Sequence, residues 1–201
     1  MLAIGLGLHA LMHYNGRAGH AGVTPLAWPS NDTVTLAASN PTLIMFAHPQ
    51  CPCTKASLGE LESLVAKAPG RFEGIILFNQ PGRNFQSWTN SALVKSARTI
   101  PSVHIFFDYD GTVAKKFGAE TSGYTVVYSR DGQLLFSGGI TGSRGHLGDN
   151  TGFQAVLNIV NVTPTYVSAS HVTMPSSRST APVFGCELFD QCPTSQTARR
   201  N

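Results

Sequence analysis

The chain has 201 residues, 42% of them apolar, which is enough for one full core with short extensions. Its formal charge of +3 is small for that length. Lys and Arg form no cluster or aromatic-interleaved stripe, so the composition argues against a nucleic-acid partner. Only 12% of residues are charged while 20 are Gly and 12 are Pro, a balance that predicts long loops.

Residues 1–14, MLAIGLGLHALMHY, are mostly apolar. A membrane-spanning helix needs about 20 apolar residues, so the run is short as it stands. The positive segment that opens a secretory signal is missing as well. Three readings stay open: a truncated signal, the end of an anchor that tethers the chain to a membrane, or a packed N-terminal helix. Sparse charge and paired cysteines favour export, and with it a periplasmic or other extracytoplasmic location.

Residues 15–32 are rich in Gly, Ala, Pro and Asn and read as a linker. A domain over residues 33–161 follows. Thr33 to Ala38 is expected as a first strand, broken by Asn40-Pro41. Thr42 to Ala47 is a continuous apolar run, the pattern of a central strand covered on both faces. Thr54 to Ala68 has helical spacing and stops at Pro69-Gly70. Gly74 to Phe78 predicts a second buried strand, Ser91 to Arg98 a short helix, and Val103 to Phe107 a third strand. Thr112 is the expected cap of a helix through Phe117, with Gly118 as its stop. Tyr124 to Ser129 and Gln133 to Ser137 flank Arg130-Asp131-Gly132, a hairpin signal. A glycine-rich loop from Gly138 to Asp149 leads to a last helix through Val160, capped by Asn150 or Thr151. Residues 162–201 read as a Ser/Thr/Pro-rich tail carrying Cys186 and Cys192. Strands separated by helices pair in parallel, and the hairpin adds antiparallel strands. The expected fold is α/β: a mixed sheet with helices on both faces.

Chemistry concentrates at His48-Pro49-Gln50-Cys51-Pro52-Cys53, between a buried strand and a helix. A helix N-terminus favours thiolate through its unpaired N–H groups and dipole. Proline is favoured at the first helical position. That makes Cys51 the N-cap and the attacking thiol, with Cys53 the second helical residue. Residues i and i+2 of a regular helix face nearly opposite ways, so a Cys51–Cys53 bridge depends on the non-helical cap. Either Cys53 or Cys186 can serve as the resolving thiol. Cys186 and Cys192 can instead form a structural disulfide. Two thiolates beside His48 also make a candidate Cu(I) or Zn(II) site from Cys51, Cys53 and His48. His104, within a strand, reads as structural. The glycine-rich loop lacks the Gly-Lys-Ser/Thr of a phosphate-binding loop, so no nucleotide is expected.

The element order, with cysteines ending the first central strand, resembles the thioredoxin fold. It is more closely similar to the exported TlpA/ResA and AhpC/TSA-type branch. There a proline and an apolar strand lead through Asp-x-Asp-Gly to a short helix ending in an aromatic residue and Gly. Here that is Pro101 through Asp108-Tyr109-Asp110-Gly111 to Phe117-Gly118. The Arg-Gly-His loop and the late Phe-Gly-Cys also look like a bacterial group labelled RedB. The resemblance implies a three-layer fold in which the loop after the hairpin lies beside the dithiol, bringing Arg144 and His146 toward Cys51. Arg144 would lower the Cys51 pKa and His146 would exchange protons. Asp149 would orient His146 or cap the final helix.

Two departures stand out. The family dithiol is Cys-x-x-Cys, and Gly123 stands where the family has a cis-proline. The peroxiredoxin Pro-x-x-x-Thr-x-x-Cys pattern is absent too. The leading expectation is an exported thiol-disulfide oxidoreductase without a cofactor. It would act on protein or small-molecule thiols and disulfides and be recycled by a separate redox partner. The alternatives are a Cu(I)/Zn(II) carrier and a binding module with structural cysteines.

Overall fold

A computed structural model describes residues 2–31, 33–82, 86–161 and 178–189. The elements run α1 (Leu2–Gly16), β1 (Thr42–Ala47), α2 (Thr54–Lys67), β2 (Glu73–Gln80), α3 (Gln86–Thr89), α4 (Ala92–Ala97) and β3 (Val103–Tyr109). They continue with α5 (Thr112–Lys116), β4 (Tyr124–Tyr128), β5 (Leu134–Gly138), α6 (Thr151–Asn161) and β6 (Ser179–Thr180). Six strands form one sheet in the order β3-β2-β1-β4-β5-β6. β1 pairs in parallel with β2 and antiparallel with β4, while β2 and β3 are parallel and β4 and β5 antiparallel.

β1 is buried along its whole length, and its side chains alternate between two cores, as a period of two requires. Leu43, Met45 and Ala47 point to the layer built by α2, α4 and α6, with Leu61, Leu64, Val94, Phe153 and Val156. Ile44 and Phe46 point to the other, with Val113 of α5, Phe117 just after it, and Val126 and Tyr128 of β4. The apolar run therefore ends at His48 in mid-sheet, and α2 starts over the sheet end. The fold is the mixed, two-faced α/β arrangement expected.

Several details differ from expectation. Residues 33–38 form no strand, because side chains take their backbone donors. Asn31 Oδ1 accepts from the N–H of Thr33 and Val34, and Thr42 Oγ1 from that of Ala37. α5 is not capped by Thr112, whose hydroxyl donates to Tyr109 O. Instead the buried Asp108 carboxylate accepts from Val113 N at 2.9 Å and Ala114 N at 2.7 Å, and Gly111 makes the turn at φ +64°. Residues 17–31 have little regular structure yet lie against the domain. Trp28 meets Phe117 and Tyr128 edge-on, and Trp28 N donates to Gly132 O at 2.8 Å. Within the stretch read as a tail, β6 extends the sheet edge and Val183 and Leu188 enter the second core. Cys192 lies outside the described residues.

Candidate active site

The turn that carries the cysteines is tied down before α2 begins. His48 N donates to Ser122 Oγ at 2.9 Å, and the Thr54 hydroxyl donates to His48 O at 3.1 Å. The Ser122 and Thr54 hydroxyls are themselves 2.8 Å apart. Cys51 N bonds back to His48 O, Thr54 N to Cys51 O and Lys55 N to Pro52 O, so tight turns run from Cys51 into the helix. Cys53, not Cys51, is therefore the N-cap position (φ −67°, ψ −25°), without a side-chain cap. That corrects the expected helix start and removes the difficulty of opposite faces: Cys51 lies outside the helix, so its sulfur can turn toward that of Cys53.

The third sulfur arrives from the far end of the chain. Residues 183–189 run antiparallel to residues 120–122, with Ser122 N donating to Cys186 O and Leu188 N to Glu120 O, both at 2.8 Å. Asn79 Nδ2 donates to Leu188 O at 2.7 Å. A side chain on Gly185 would land on the Ser122 carbonyl oxygen, so glycine is required for this approach. The strap delivers Cys186 N to 3.4 Å from Cys51 Sγ. The sulfur atoms of Cys51, Cys53 and Cys186 all lie within 4.8 Å of one another. Cys51 is 0% exposed and Cys53 9%, while Cys186 is half-buried.

The three thiols share protons unequally. Hydrogen bonds from the Cys186 thiol and then the Cys53 thiol hold Cys51 far below the usual thiol range, at about 2, against the opposing effect of burial. Cys186 is pushed up, because its S–H bonds to Cys51 and then Cys53 and because it is partly desolvated. For Cys53 the bond from Cys186 favours the thiolate, but the bond to Cys51, burial and the Cys51 charge outweigh it and push the thiol up. The cluster holds one thiolate, on Cys51, and two thiols. Among ordinary causes, hydrogen bonding to the charged form dominates.

Arg144 reaches this cluster and His146 does not join it by a hydrogen bond. The Arg144 guanidinium donates through Nη1 to Gly185 O and through Nε to Arg17 O, and it lies over the Tyr14 ring. Its charge favours the thiolate of Cys53. His146 is exposed; its backbone N–H bonds Ser143 O, and its ring lines an open depression with Leu147 and Asp149. Asn150 caps α6 through Phe153 N, leaving Asp149 exposed. The His48 ring packs on Trp88 at 4.7 Å, and its Nδ1 accepts from Gln50 N at 3.1 Å. His48 is not part of the three-donor cluster; Cys186 stands in the place expected for it. Gly123 has φ +88° and donates its N–H to Phe46 O. A side chain there would meet Ser57 Oγ of α2. Ser122 and Thr54 were missed by sequence reasoning, since nothing local marks a hydroxyl that braces a loop 68 residues away.

This strand order, with a cysteine-bearing turn between the first sheet strand and its helix, defines a thioredoxin-like fold with a three-thiol centre. No family model matches the chain, and no curated protein matches it. Solved structures do. The chain is similar to an uncharacterised conserved protein from Geobacillus kaustophilus, at 16% identity and a TM-score of 0.55, over 90% of this chain and 95% of the other. It is also similar to a hypothetical protein from Sinorhizobium meliloti 1021, at 18% identity and a TM-score of 0.51, over 86% and 94% of the two chains. A secreted Mycobacterium tuberculosis disulfide oxidoreductase matches with a TM-score of 0.43 and 16% identity, over 60% of this chain and 80% of that one.

Proposed function

We propose that the protein is a thiol-disulfide oxidoreductase whose redox couple is Cys51 and Cys186, with Cys53 as the third thiol of the centre. The observation that carries this reading is the meeting of three sulfur atoms at the start of α2, with the thiolate on the innermost. Thiolate is the form that exchanges, and a well-stabilised thiolate is also the better leaving group.

Exposure supports one order of steps. An outside thiolate cannot reach Cys51, which is fully buried, but it can reach Cys186. In the oxidised protein it attacks Cys186 Sγ, forms a mixed disulfide there, and expels Cys51 as thiolate. A second outside thiolate then attacks the substrate sulfur of that mixed disulfide. The products are an oxidised substrate pair and reduced Cys186, two electrons having passed to the protein. In reverse, the Cys51 thiolate attacks Cys186 in the mixed disulfide and releases the outside thiolate. Cys51 is thus the nucleophile of the internal step. The substrates are protein or small-molecule thiols and disulfides, and a separate redox partner restores the starting state. Arg144 positions Gly185, and hence Cys186.

The proposed location is extracytoplasmic, with α1 as a membrane-surface tether. No helix among the described residues is long and apolar enough to cross a membrane. α1 nonetheless exposes Ile4, Leu6, Leu8 and Met12 to solvent.

The test is thiol trapping after equilibration in glutathione buffers, followed by mapping of the linked cysteines. One reversible two-electron couple joining Cys51 to Cys186 is expected, abolished by Cys51→Ser. Retention of exchange in Cys51→Ser would overturn the reading.

A further inference from the structure

We infer that Cys51, Cys53 and Cys186, when all three are reduced, form a three-sulfur site for a single monovalent copper ion. The geometry comes first. A disulfide engages two sulfurs, yet three converge here from segments 135 residues apart. Three sulfurs placed trigonally at a metal–sulfur distance of about 2.3 Å stand about 4 Å from one another. The observed separations, none above 4.8 Å, close to that spacing by side-chain adjustment of less than about an ångström.

The donors are also held in place before any ion arrives. Cys51 and Cys53 belong to a turn fixed by Ser122 and Thr54, and Cys186 to a strap fixed by backbone bonds at residues 120–122 and by buried Val183 and Leu188. The Cys186 N–H already donates to Cys51 Sγ, the outer contact that orients a metal-bound thiolate. Positive charge from Arg144 and the partial charge at the N-terminus of α2 offset the anionic sulfurs. The half-buried side of Cys186 gives an ion a way in.

Donor type then selects the ion. Binding displaces the protons of Cys53 and Cys186 to solvent, and the resulting all-thiolate set is soft and favours Cu(I) and Zn(II) over Mg(II), Ca(II) or Mn(II). Structural Zn(II) closes a tetrahedron of four protein ligands, and Zn(II) on three protein ligands needs a water as its fourth, whereas Cu(I) is satisfied by three sulfurs alone. Among the described residues the cluster offers three, and His48 is turned to Gln50 N and Trp88. The site therefore suits copper in its monovalent state, which a trigonal set of sulfurs satisfies.

The full chain, kept reduced under anaerobic conditions, is titrated against Cu(I) held by the chromophoric chelator bicinchoninate. Transfer of one copper per chain is expected, with extended X-ray absorption fine structure showing sulfur scatterers only. Cys186→Ser and, separately, Cys53→Ser should each weaken binding by at least about a hundredfold, more than the loss of an outer-shell contact. His48→Gln should stay within a few-fold of the parent. Circular dichroism checks that each variant is folded, and either cysteine variant suffices if the other is not. Copper left on the chelator by the parent chain overturns the inference. So does Cys186→Ser binding as tightly as the parent, or uptake of Zn(II) with refusal of copper. No disulfide substrate is present, so a failure of thiol exchange and a failure of copper binding are read separately.

Discussion

Cys51 keeps its charge because two neighbouring thiols donate to it, and that arrangement couples stability to pH in both directions. Its native pKa lies near about 2 while an unfolded thiol titrates near 9.0. Between those values the unfolded chain binds three protons on these cysteines and the native chain two, so the stability of the reduced protein rises with pH. Above 9.0 the unfolded chain sheds all three. The native chain still holds those on Cys53 and Cys186, whose pKa values are raised, so stability falls again. Urea midpoints of the reduced protein should peak near the ordinary thiol pKa, and the Cys51/Cys53/Cys186 triple serine variant should lack that peak. A profile shared by the two proteins would remove the proton-sharing account. Part of this centre was legible in the chain: a strand, a cysteine pair and a helix in immediate succession singled out Cys51 and Cys53. The identity of the third donor was not, because proximity between Cys51 and Cys186 depends on a strap whose packing no local pattern records. His48 looked a better neighbour only because it is close in sequence.

At the scale of elements, two contacts decide whether the centre is assembled. Gly185→Ala forces a methyl group onto the Ser122 carbonyl oxygen, which must push the strap away from the sheet. Formation of the Cys51–Cys186 disulfide, with glutathione disulfide as the oxidant, should slow by about tenfold or more, since small misplacements of reacting atoms carry large rate penalties. Trapping of the disulfide over time measures this, with circular dichroism as the check that the variant is folded. Asp108→Ala removes the carboxylate that accepts from Val113 and Ala114, and should destabilise the fold by about 1–2 kcal/mol, read as a shift in denaturation midpoint. The central strands and long helices were legible because their apolar periods are strong. Thr33 to Ala38 was misread because an apolar-alternating run looks the same whether its N–H groups meet a strand or a side-chain oxygen. The cap of α5 was misread for a related reason: Asp108 reaches forward from the end of β3, and Thr112 merely stands in the expected place.

For the whole molecule, the sheet order puts β1 between β2 and β4, so the chain end of β1 and the α2 start lie over the middle of the sheet. Two segments of mostly irregular structure pack on the second face of the sheet: residues 17–31, anchored by Trp28, and residues 178–189, anchored by Val183 and Leu188. α1 projects apolar side chains outward on all sides, and its 15 residues reach about 22 Å, short of the roughly 30 Å hydrocarbon layer. The 201-residue chain should float with phospholipid vesicles and a chain lacking residues 1–16 should not; equal flotation would remove the tether.

The backbone bonds between residues 120–122 and the strap have a mechanical meaning once the centre changes oxidation state. In the reduced protein the C-terminal segment is a fastener that can be undone by breaking hydrogen bonds. The proposed Cys51–Cys186 disulfide would make it a rivet, enclosing 134 intervening residues in one covalent ring and stabilising the fold by an amount on the order of 4–5 kcal/mol in the chain-entropy account. A protease given both forms should therefore release the segment around residues 178–189 from the reduced protein and spare it in the oxidised one. The accessibility of residues 178–189 would then report, to anything that binds them, how many electrons the centre holds.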